Sequence, residues 1–278
     1  MKSRRRLVAI VCAAAIVLTC VAVATGGFAP GGKGEAEDVK DAGLKTLVVG
    51  SDSYPPYISD DENGEPAGID VDILTEALRR IGYKPRFKLI DWERKKELLA
   101  QGKIDCIMGC FTMTGREDEY RWAGPYMKSR QVVAVDTESD IHTLADLAGK
   151  TVGVQSTTKP ETILVDGLNS KVPQIGRVYS FSDRAYINPA LVDGLVDAIA
   201  AHETSILTYE KDYGVTYRIL DEPLLEVGLG TAFDLDDTRG IDVKLARVYR
   251  EMIADGTMEK ILTRYFDDPS SFLEVGDL

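Results

Sequence analysis

Thr46-Leu47-Val48-Val49-Gly50 is a short apolar run bounded by turn residues, and it predicts a buried strand. Apolar residues then recur at helical spacing over residues 73–81, with Asp70 as the predicted N-cap and Gly82 as the predicted end. Further elements are predicted as a strand at 87–90, a helix at 92–101 and a strand at 104–111. Strands that alternate with helices indicate an α/β fold on a parallel sheet.

A second α/β series follows a predicted strand at residues 131–135. Its strands are predicted at 151–155, 176–181, 198–201 and 217–220, and its helices near 144–147, 160–168, 183–192 and 205–213. Pro189 should kink the third of these helices. The tail predicts a strand at 228–233 and helices at 243–254 and 258–265.

The simplest architecture is two α/β lobes, with the chain crossing between them twice. Lobe 1 would hold residues 45–135 and 222–278, and lobe 2 would hold residues 136–221. Paired lobes of this kind bind small ligands in the crevice at the C-terminal ends of their strands and close by a hinge motion.

The first 24 residues read as an export signal, because basic residues precede an uncharged apolar run from Leu7 to Ala24. Cleavage after Ala24 fits the small-residue rule, and residues 17–20 resemble a lipobox in which Cys20 becomes lipidated. An uncleaved membrane anchor is the third possibility. We favour lipidation at Cys20, although Thr19 is unusual there. Each reading places the rest of the chain on the envelope side of the plasma membrane, in the periplasm or at the cell surface, behind a glycine-rich tether at 25–44.

Composition excludes several partners and cofactors. The chain has 33 basic and 45 acidic residues, a net charge of -12, and loss of residues 1–19 makes it -16. Such acidity argues against binding to nucleic acid or anionic lipid. Cys106 and Cys110 are about 13 Å apart in an extended strand, so we expect free thiols rather than a disulfide. Two histidines exclude a His-rich zinc site, and no cofactor is expected.

The stretch Gly109-Cys110-Phe111-Thr112-Met113-Thr114-Gly115-Arg116-Glu117 joins the end of an apolar strand to hydroxyls and a guanidinium. Arg116 offers a rigid fork of donors that matches a carboxylate, and no general base or nucleophile accompanies it. The stretch therefore predicts a small-anion site. The alternative is a surface turn in which Arg116 pairs with Glu117 or Asp118.

From about residue 45 to 265 the chain resembles the bacterial extracellular solute-binding proteins, family 3, the polar amino-acid receptors of ABC importers. The resemblance rests on seven segments in the family's order, and these are residues 53–57 (SYPPY), 66–72 (PAGIDVD), 101–105 (QGKID), 114–116 (TGR), 124–126 (GPY), 144–154 (LADLAGKTVGV) and 194–198 (GLVDA). It implies a type II periplasmic-binding-protein fold.

The resemblance also implies ligand contacts in the first lobe. Tyr54 matches an aromatic residue that packs on the ligand side chain, Asp52 lies where the family often places a polar contact, and Trp92 matches a second aromatic residue. Arg116 matches the arginine that clamps the α-carboxylate, after a one-residue deletion. Cys110 and Thr112 match positions that meet the ammonium and carboxylate groups.

In the second lobe the resemblance implies a carboxylate-binding turn at Ser156, Thr157 and Thr158, although the family's usual glycine is missing there. Amino-acid binders usually place an aspartate after the strand at 198–201, where this chain has His202 and Glu203. A buried ammonium needs a paired charge, which Glu203 could supply. The alternative is that Glu203 caps a helix and His202 faces solvent.

The leading hypothesis is a monomeric binding module that captures a small polar ligand, most simply an amino acid of polar or cationic character, and delivers it to an ABC permease. A free-standing sensor subunit is one alternative. A dehydratase-like enzyme is the other, with Glu203 as general acid, but no second acid or base stands out in the sequence.

Overall fold

The computed structural model describes residues 43–276. The predicted export signal, Cys12, the lipidation site Cys20 and the tether up to residue 42 lie outside the described residues. From Gly43 onward the chain forms one compact unit. Within residues 43–276, no helix is both long enough and apolar enough to cross a membrane.

The regular elements of the described chain follow the predicted alternation of strands and helices. The strands are β1 (Lys45–Ser51), β2 (Ser59–Asp60), β3 (Pro66–Ala67), β4 (Tyr83–Leu89), β5 (Cys106–Ile107), β6 (Arg121–Asp136), β7 (Thr151–Gln155), β8 (Arg177–Phe181), β9 (Ala198–His202), β10 (Tyr217–Ile219) and β11 (Leu225–Phe233). The α-helices are α1 (Ile69–Arg80), α2 (Lys95–Ala100), α3 (Lys159–Asp166), α4 (Ile187–Val192), α5 (Glu203–Tyr213), α6 (Ile241–Ala254) and α7 (Thr257–Leu262). Single 3-10 turns lie at Trp92–Arg94, Leu144–Leu147, Arg184–Tyr186 and Ser270–Phe272.

The main sheet is mixed rather than wholly parallel as predicted. Its order is β4-β1-β5-β11-β6-β9-β7-β8, with β10 also on β6, while β2 and β3 form a separate hairpin. β1 is parallel to β4 and β5, and β7 is parallel to β8 and β9. β6 and β11 run antiparallel to each other because they carry the chain between the lobes in opposite directions.

Separate hydrophobic cores lie on either side of this crossing. Met127 of β6 packs in a first-lobe core with β1, α1 and α6, whereas Val133 of the same strand packs in a second-lobe core with β7. Val132 and Ala134 belong to a third cluster because successive strand residues face opposite sides of the sheet. The lobe boundaries at 135/136 and 221/222 stay a prediction.

Three local expectations were wrong. The third strand ends at Ile107 rather than at residue 111, since Gly109 (φ 143°) and Cys110 (φ 52°) turn the chain. Pro189 does not kink a long helix, because α4 begins only two residues earlier and a proline in the first turn loses no helical hydrogen bond. Asp70 does not cap α1; Gly68 does, and Asp70 is fully buried.

Candidate functional site

A cavity of about 30 Å³ lies between the lobes and is called here the inner cavity. It brings together eight of the predicted site residues, which are Tyr54, Trp92, Cys110, Thr112, Arg116, Thr157, Thr158 and His202. The predicted residues Asp52, Ser156 and Glu203 do not line it. Gln155, at the start of the predicted turn, also lines the cavity, as do side chains that the sequence did not single out, among them Gln131, Lys159 and Arg184.

Arg116 reaches across the interlobe crevice. Its Nη1 donates to the Thr112 carbonyl at 3.4 Å and its Nη2 to the Thr157 carbonyl at 3.3 Å, while its guanidinium carbon lies 5.4 Å from the Phe111 ring centre. In the described chain neither Glu117 nor Asp118 pairs with it, so the surface-turn alternative is wrong. Burial lowers the pKa of Arg116, and the nearby Glu119 and Tyr120 only partly offset this effect.

The loop after β5 lines the inner cavity with Gly109 and Cys110, both of which have a positive φ. A Cβ on Gly109 would lie 2.1 Å from Ser51 Oγ, so only glycine fits at this positive φ. Cys110 follows in a left-handed conformation, and its amide donates to Asp70 Oδ2 at 2.6 Å. The Cys110 thiol is free and buried, and burial raises its pKa well above its ordinary value. An unreactive thiol therefore lines the cavity wall.

The two predicted aromatics have different environments. Trp92 packs edge-on against Phe111 with ring centres 5.3 Å apart, and Lys95 Nζ lies 4.6 Å from the centre of the Trp92 ring. Tyr54 accepts a hydrogen bond from the His202 amide at 3.2 Å. One face of Tyr54 is covered by Arg184, whose guanidinium carbon is 3.2 Å from the ring centre.

The second-lobe turn contains a residue in the left-handed region of φ, although the family's usual glycine is missing there. Thr157 occupies positive φ (59°), a conformation that is uncommon for a β-branched residue. Its amide is already taken by Glu161 Oε2 at 2.6 Å, and Thr158 Oγ1 donates to the Gln155 carbonyl. The Thr157 N–H and the Thr158 hydroxyl are therefore already hydrogen-bonded within the protein.

His202 is a neutral, buried histidine, so the alternative in which it faces solvent is wrong. Its Nε2 lies 2.7 Å from Gln131 Nε2, and its Nδ1 lies 2.8 Å from Ser129 Oγ. Burial, followed by the charges of Arg184 and Arg116, lowers its pKa to about 3. At neutral pH His202 supplies no charge to the cavity.

Both carboxylates proposed to meet a ligand's positive group are paired within the chain. Glu203 opens α5 without capping it and accepts from Arg130 Nη1 at 2.8 Å. Asp52 Oδ2 accepts from Gln155 Nε2 at 2.7 Å and from Arg184 Nε at 3.0 Å. Asp52 Oδ1, however, is buried and accepts no hydrogen bond from the described chain, so Glu203 is paired with Arg130 while Asp52 keeps one free oxygen.

A larger cavity of about 600 Å³ adjoins the first and is called the outer cavity. Arg184, Tyr54 and Trp92 line both cavities, so these side chains form part of the wall between them. Within residues 43–276, no group of three histidine, cysteine or acidic side chains could hold a metal ion.

Comparison with known proteins agrees with this geometry. The model of the bacterial extracellular solute-binding proteins, family 3, matches residues 47–268. The histidine-binding periplasmic protein of Salmonella typhimurium is 30% identical over 234 residues, covering 80% of this chain and 87% of that protein.

Two solved structures are similar over most of the chain. An ancestral arginine-binding protein bound to arginine has a TM-score of 0.72 and 28% identity, covering 81% of this chain and 99% of that one. An ancestral amino acid-binding protein, a precursor of cyclohexadienyl dehydratase, has a TM-score of 0.68 and 26% identity, covering 84% and 99%. With its two α/β lobes and intervening crevice, the chain belongs to the bacterial extracellular solute-binding proteins, family 3.

Proposed function

We propose that this protein captures a small polar solute of the amino-acid class in the inner cavity and delivers it to the permease of an ABC importer. The observation that carries this proposal is Arg116, a half-buried cation at the crevice for which the described chain provides no carboxylate partner. An unpaired guanidinium fork suits a solute carboxylate. Relatives named for binding histidine and arginine support the amino-acid class.

The proposed contacts divide between the lobes. Arg116 would hold the carboxylate, with the Cys110–Thr112 segment beside it, while Tyr54 and Trp92 would enclose the rest of the solute. The second lobe would complete the site with Thr157, Thr158 and His202. The remaining predicted residues, Ser156, Asp52 and Glu203, would not contact the solute and would only position the side chains next to them.

Lobe closure would be stabilised by direct contacts across the crevice. Tyr57 Oη lies 2.5 Å from Thr204 Oγ1, and Lys95 Nζ donates to Thr157 Oγ1 at 2.7 Å. Capture by hinge closure fits these contacts, because they can form only when the lobes approach.

The location and attachment of the protein complete the proposal. Periplasmic relatives support an exported protein on the envelope side of the membrane. We propose that Cys20 carries the lipid anchor, that residues 25–44 form the tether, and that the protein works as a monomer. A free-standing sensor role would use the same binding step. For a dehydratase-like enzyme the candidate general acid Glu203 is held by Arg130 outside the inner cavity, which favours binding without turnover.

A thermal-shift screen of the purified exported protein against amino acids and simple carboxylates tests the proposed function. A solute at about 100 times its Kd should stabilise the folded state by about 2.7 kcal/mol. Recovery of the solute unchanged after binding supports a receptor rather than an enzyme. If no amino acid or carboxylate shifts the unfolding temperature of the folded protein, the proposed function is wrong.

Lys95 should make solute affinity depend on pH. Burial, followed by repulsion from Arg116, lowers the Lys95 pKa to about 7, although Asp52, Glu119 and Glu161 act in the opposite direction. Below that pH Lys95 is a cation beside the carboxylate site, and above it the cation is lost. We expect affinity for a carboxylate solute to fall by up to about tenfold between pH 6 and pH 8.

Titration calorimetry at several pH values measures this effect. Lys95→Gln should remove the pH dependence, and Lys96→Gln, which changes an exposed neighbour, should keep it. Equal pH profiles for the parent and Lys95→Gln would contradict the assignment.

A further inference from the structure

The charged side chains that line the inner cavity are all basic. Arg116, Lys159 and Arg184 contribute to the wall, and no aspartate or glutamate does so in the described chain. Asp52 is a nearby carboxylate, but it bonds to Arg184 from outside the cavity lining. A solute with a cationic group would therefore meet like charges in the lining of the inner cavity, which is costly in a buried site.

Arg184 has hydrogen-bond donors that the described chain does not use. Only 13% of its side chain is exposed, and its Nε donates to Asp52 Oδ2. Within residues 43–276 its two Nη groups donate no hydrogen bond to the protein. Because Arg184 lines the cavity and lies on the Tyr54 ring, these groups are available to a second anionic group, as the fork of Arg116 is to a first.

Three buried acceptors at this site lack partners in the described chain: Asp52 Oδ1, which lies outside the lining of the inner cavity, and two glutamine oxygens within it. Gln131 and Gln155 are only 2% and 3% exposed, both line the inner cavity, and the Oε1 atom of each has no hydrogen-bond partner. Gln155 Nε2 donates to Asp52 Oδ2, which fixes the direction of that amide, and Gln131 Nε2 lies 2.7 Å from His202 Nε2. Unpaired buried acceptors are costly, and a donor on a bound solute would satisfy them.

We infer that the solute is a compact molecule with two anionic groups, one paired with Arg116 and the other with Arg184. An N–H or O–H donor between them would meet the oxygens of Gln131 and Gln155. This inference rests on the proposed function and narrows its solute class to dicarboxylates, with or without an amino group. Arg184 becomes the residue that determines specificity.

Titration calorimetry on the purified exported protein tests this with matched solutes. L-Glutamate and L-glutamine have the same shape and differ in one charge, L-aspartate tests chain length, succinate tests whether the amino group is needed, and L-arginine and L-histidine supply cationic side chains. We expect a dicarboxylate to bind most tightly, and glutamate to bind about 30-fold or more tightly than glutamine. Weak binding of succinate beside strong binding of glutamate or aspartate would identify the amino dicarboxylates.

Substitution of Arg184 assigns the preference to that residue. Arg184→Met should bring glutamate and glutamine to within about threefold of each other, mainly by weakening glutamate binding. Because this variant leaves Asp52 buried without its partner, Asp52→Asn combined with Arg184→Met serves as a second test with both charges removed. Arg177→Met, an exposed arginine of the same lobe that covers Tyr179, should behave as the parent.

The outcomes separate this inference from the proposed function. If glutamine, arginine or histidine binds more tightly than every dicarboxylate, the two-anion inference is wrong while the amino-acid receptor stands. If Arg184→Met keeps the full preference for glutamate, Arg184 is not the determinant. If no solute binds to the folded protein, both proposals fail.

Discussion

Replacing Arg116 with alanine is expected to weaken solute binding by about 30- to 1,000-fold, the largest effect on affinity predicted for this protein. The same change should leave the solute-free protein as stable as the parent, or more stable. This combination separates a binding residue from a structural one, because an essential structural residue would lower both quantities.

The expected stability follows from the surroundings of Arg116. Its hydrogen bonds to the Thr112 and Thr157 carbonyls are long, and burial lowers its pKa, so the charged form is poorly compensated without a solute. Alanine removes that uncompensated charge. With a carboxylate bound the guanidinium gains its partner, and truncation then leaves a buried anion unpaired.

Titration calorimetry gives the affinity, and urea unfolding without solute gives the stability. Arg116→Lys keeps the charge but loses the planar fork, so it should retain part of the affinity. Arg94→Ala removes an exposed arginine paired with Glu97 and serves as the matched control. If Arg116→Ala binds solute within threefold of the parent, this arginine does not hold the carboxylate.

The fold could be predicted because its local patterns agree with its tertiary structure. The apolar run at 46–50 and the helical spacing at 73–81 became β1 and α1 with nearly the predicted bounds. β6 was predicted at less than a third of its length, since its first half contains Gly124-Pro125, a pair that is typical of turns, where it pairs with β11 at the crossing. The spacing of apolar residues reveals a strand only when the strand is buried in a regular pattern, and the burial of β6 at the crossing is irregular.

Site residues that lie within one short sequence motif could be predicted. Site residues that only the tertiary structure brings together were missed. Arg116 and Thr112 lie within one short segment, so a sequence motif could identify them. Arg184 and Asp52 are 132 residues apart, and neither has a local pattern that points to the other. Gln131 meets His202 through the antiparallel register of β6 with β9, which the sequence does not reveal.

The corrected role of Asp70 leads to the largest predicted effect on stability. Asp70→Ala should lower the free energy of unfolding by about 3 kcal/mol. Asp70 is fully buried, and its carboxylate accepts from the Cys110 amide at 2.6 Å and from Tyr126 Oη at 2.8 Å. Alanine would leave both donors buried without an acceptor, and each such donor costs about 1–3 kcal/mol.

The same change should also weaken solute binding, because Asp70 holds Cys110 in the left-handed conformation that shapes the inner cavity. Asp242 is the matched control, since it is a buried aspartate at the second position of α6 and pairs with Arg121 away from the cavity. Asp242→Ala should lower stability but leave affinity unchanged. Equal losses of affinity in the two variants would indicate a general effect of instability.

Asp70 should also leave a signature in the pH dependence of stability. Burial raises its pKa from 3.8 to about 7, although the hydrogen bonds from Cys110 and Tyr126 oppose the shift. Between these values the native chain keeps a proton that the unfolded chain has released, so stability falls as pH rises, by up to about 1.4 kcal/mol per pH unit. Asp70→Asn cannot titrate, so the stability of the parent relative to this variant should decline from about pH 4 to pH 7 and then level off. A constant difference from pH 4 to pH 8 would mean that Asp70 is ionised throughout, and that its buried hydrogen bonds outweigh the loss of hydration.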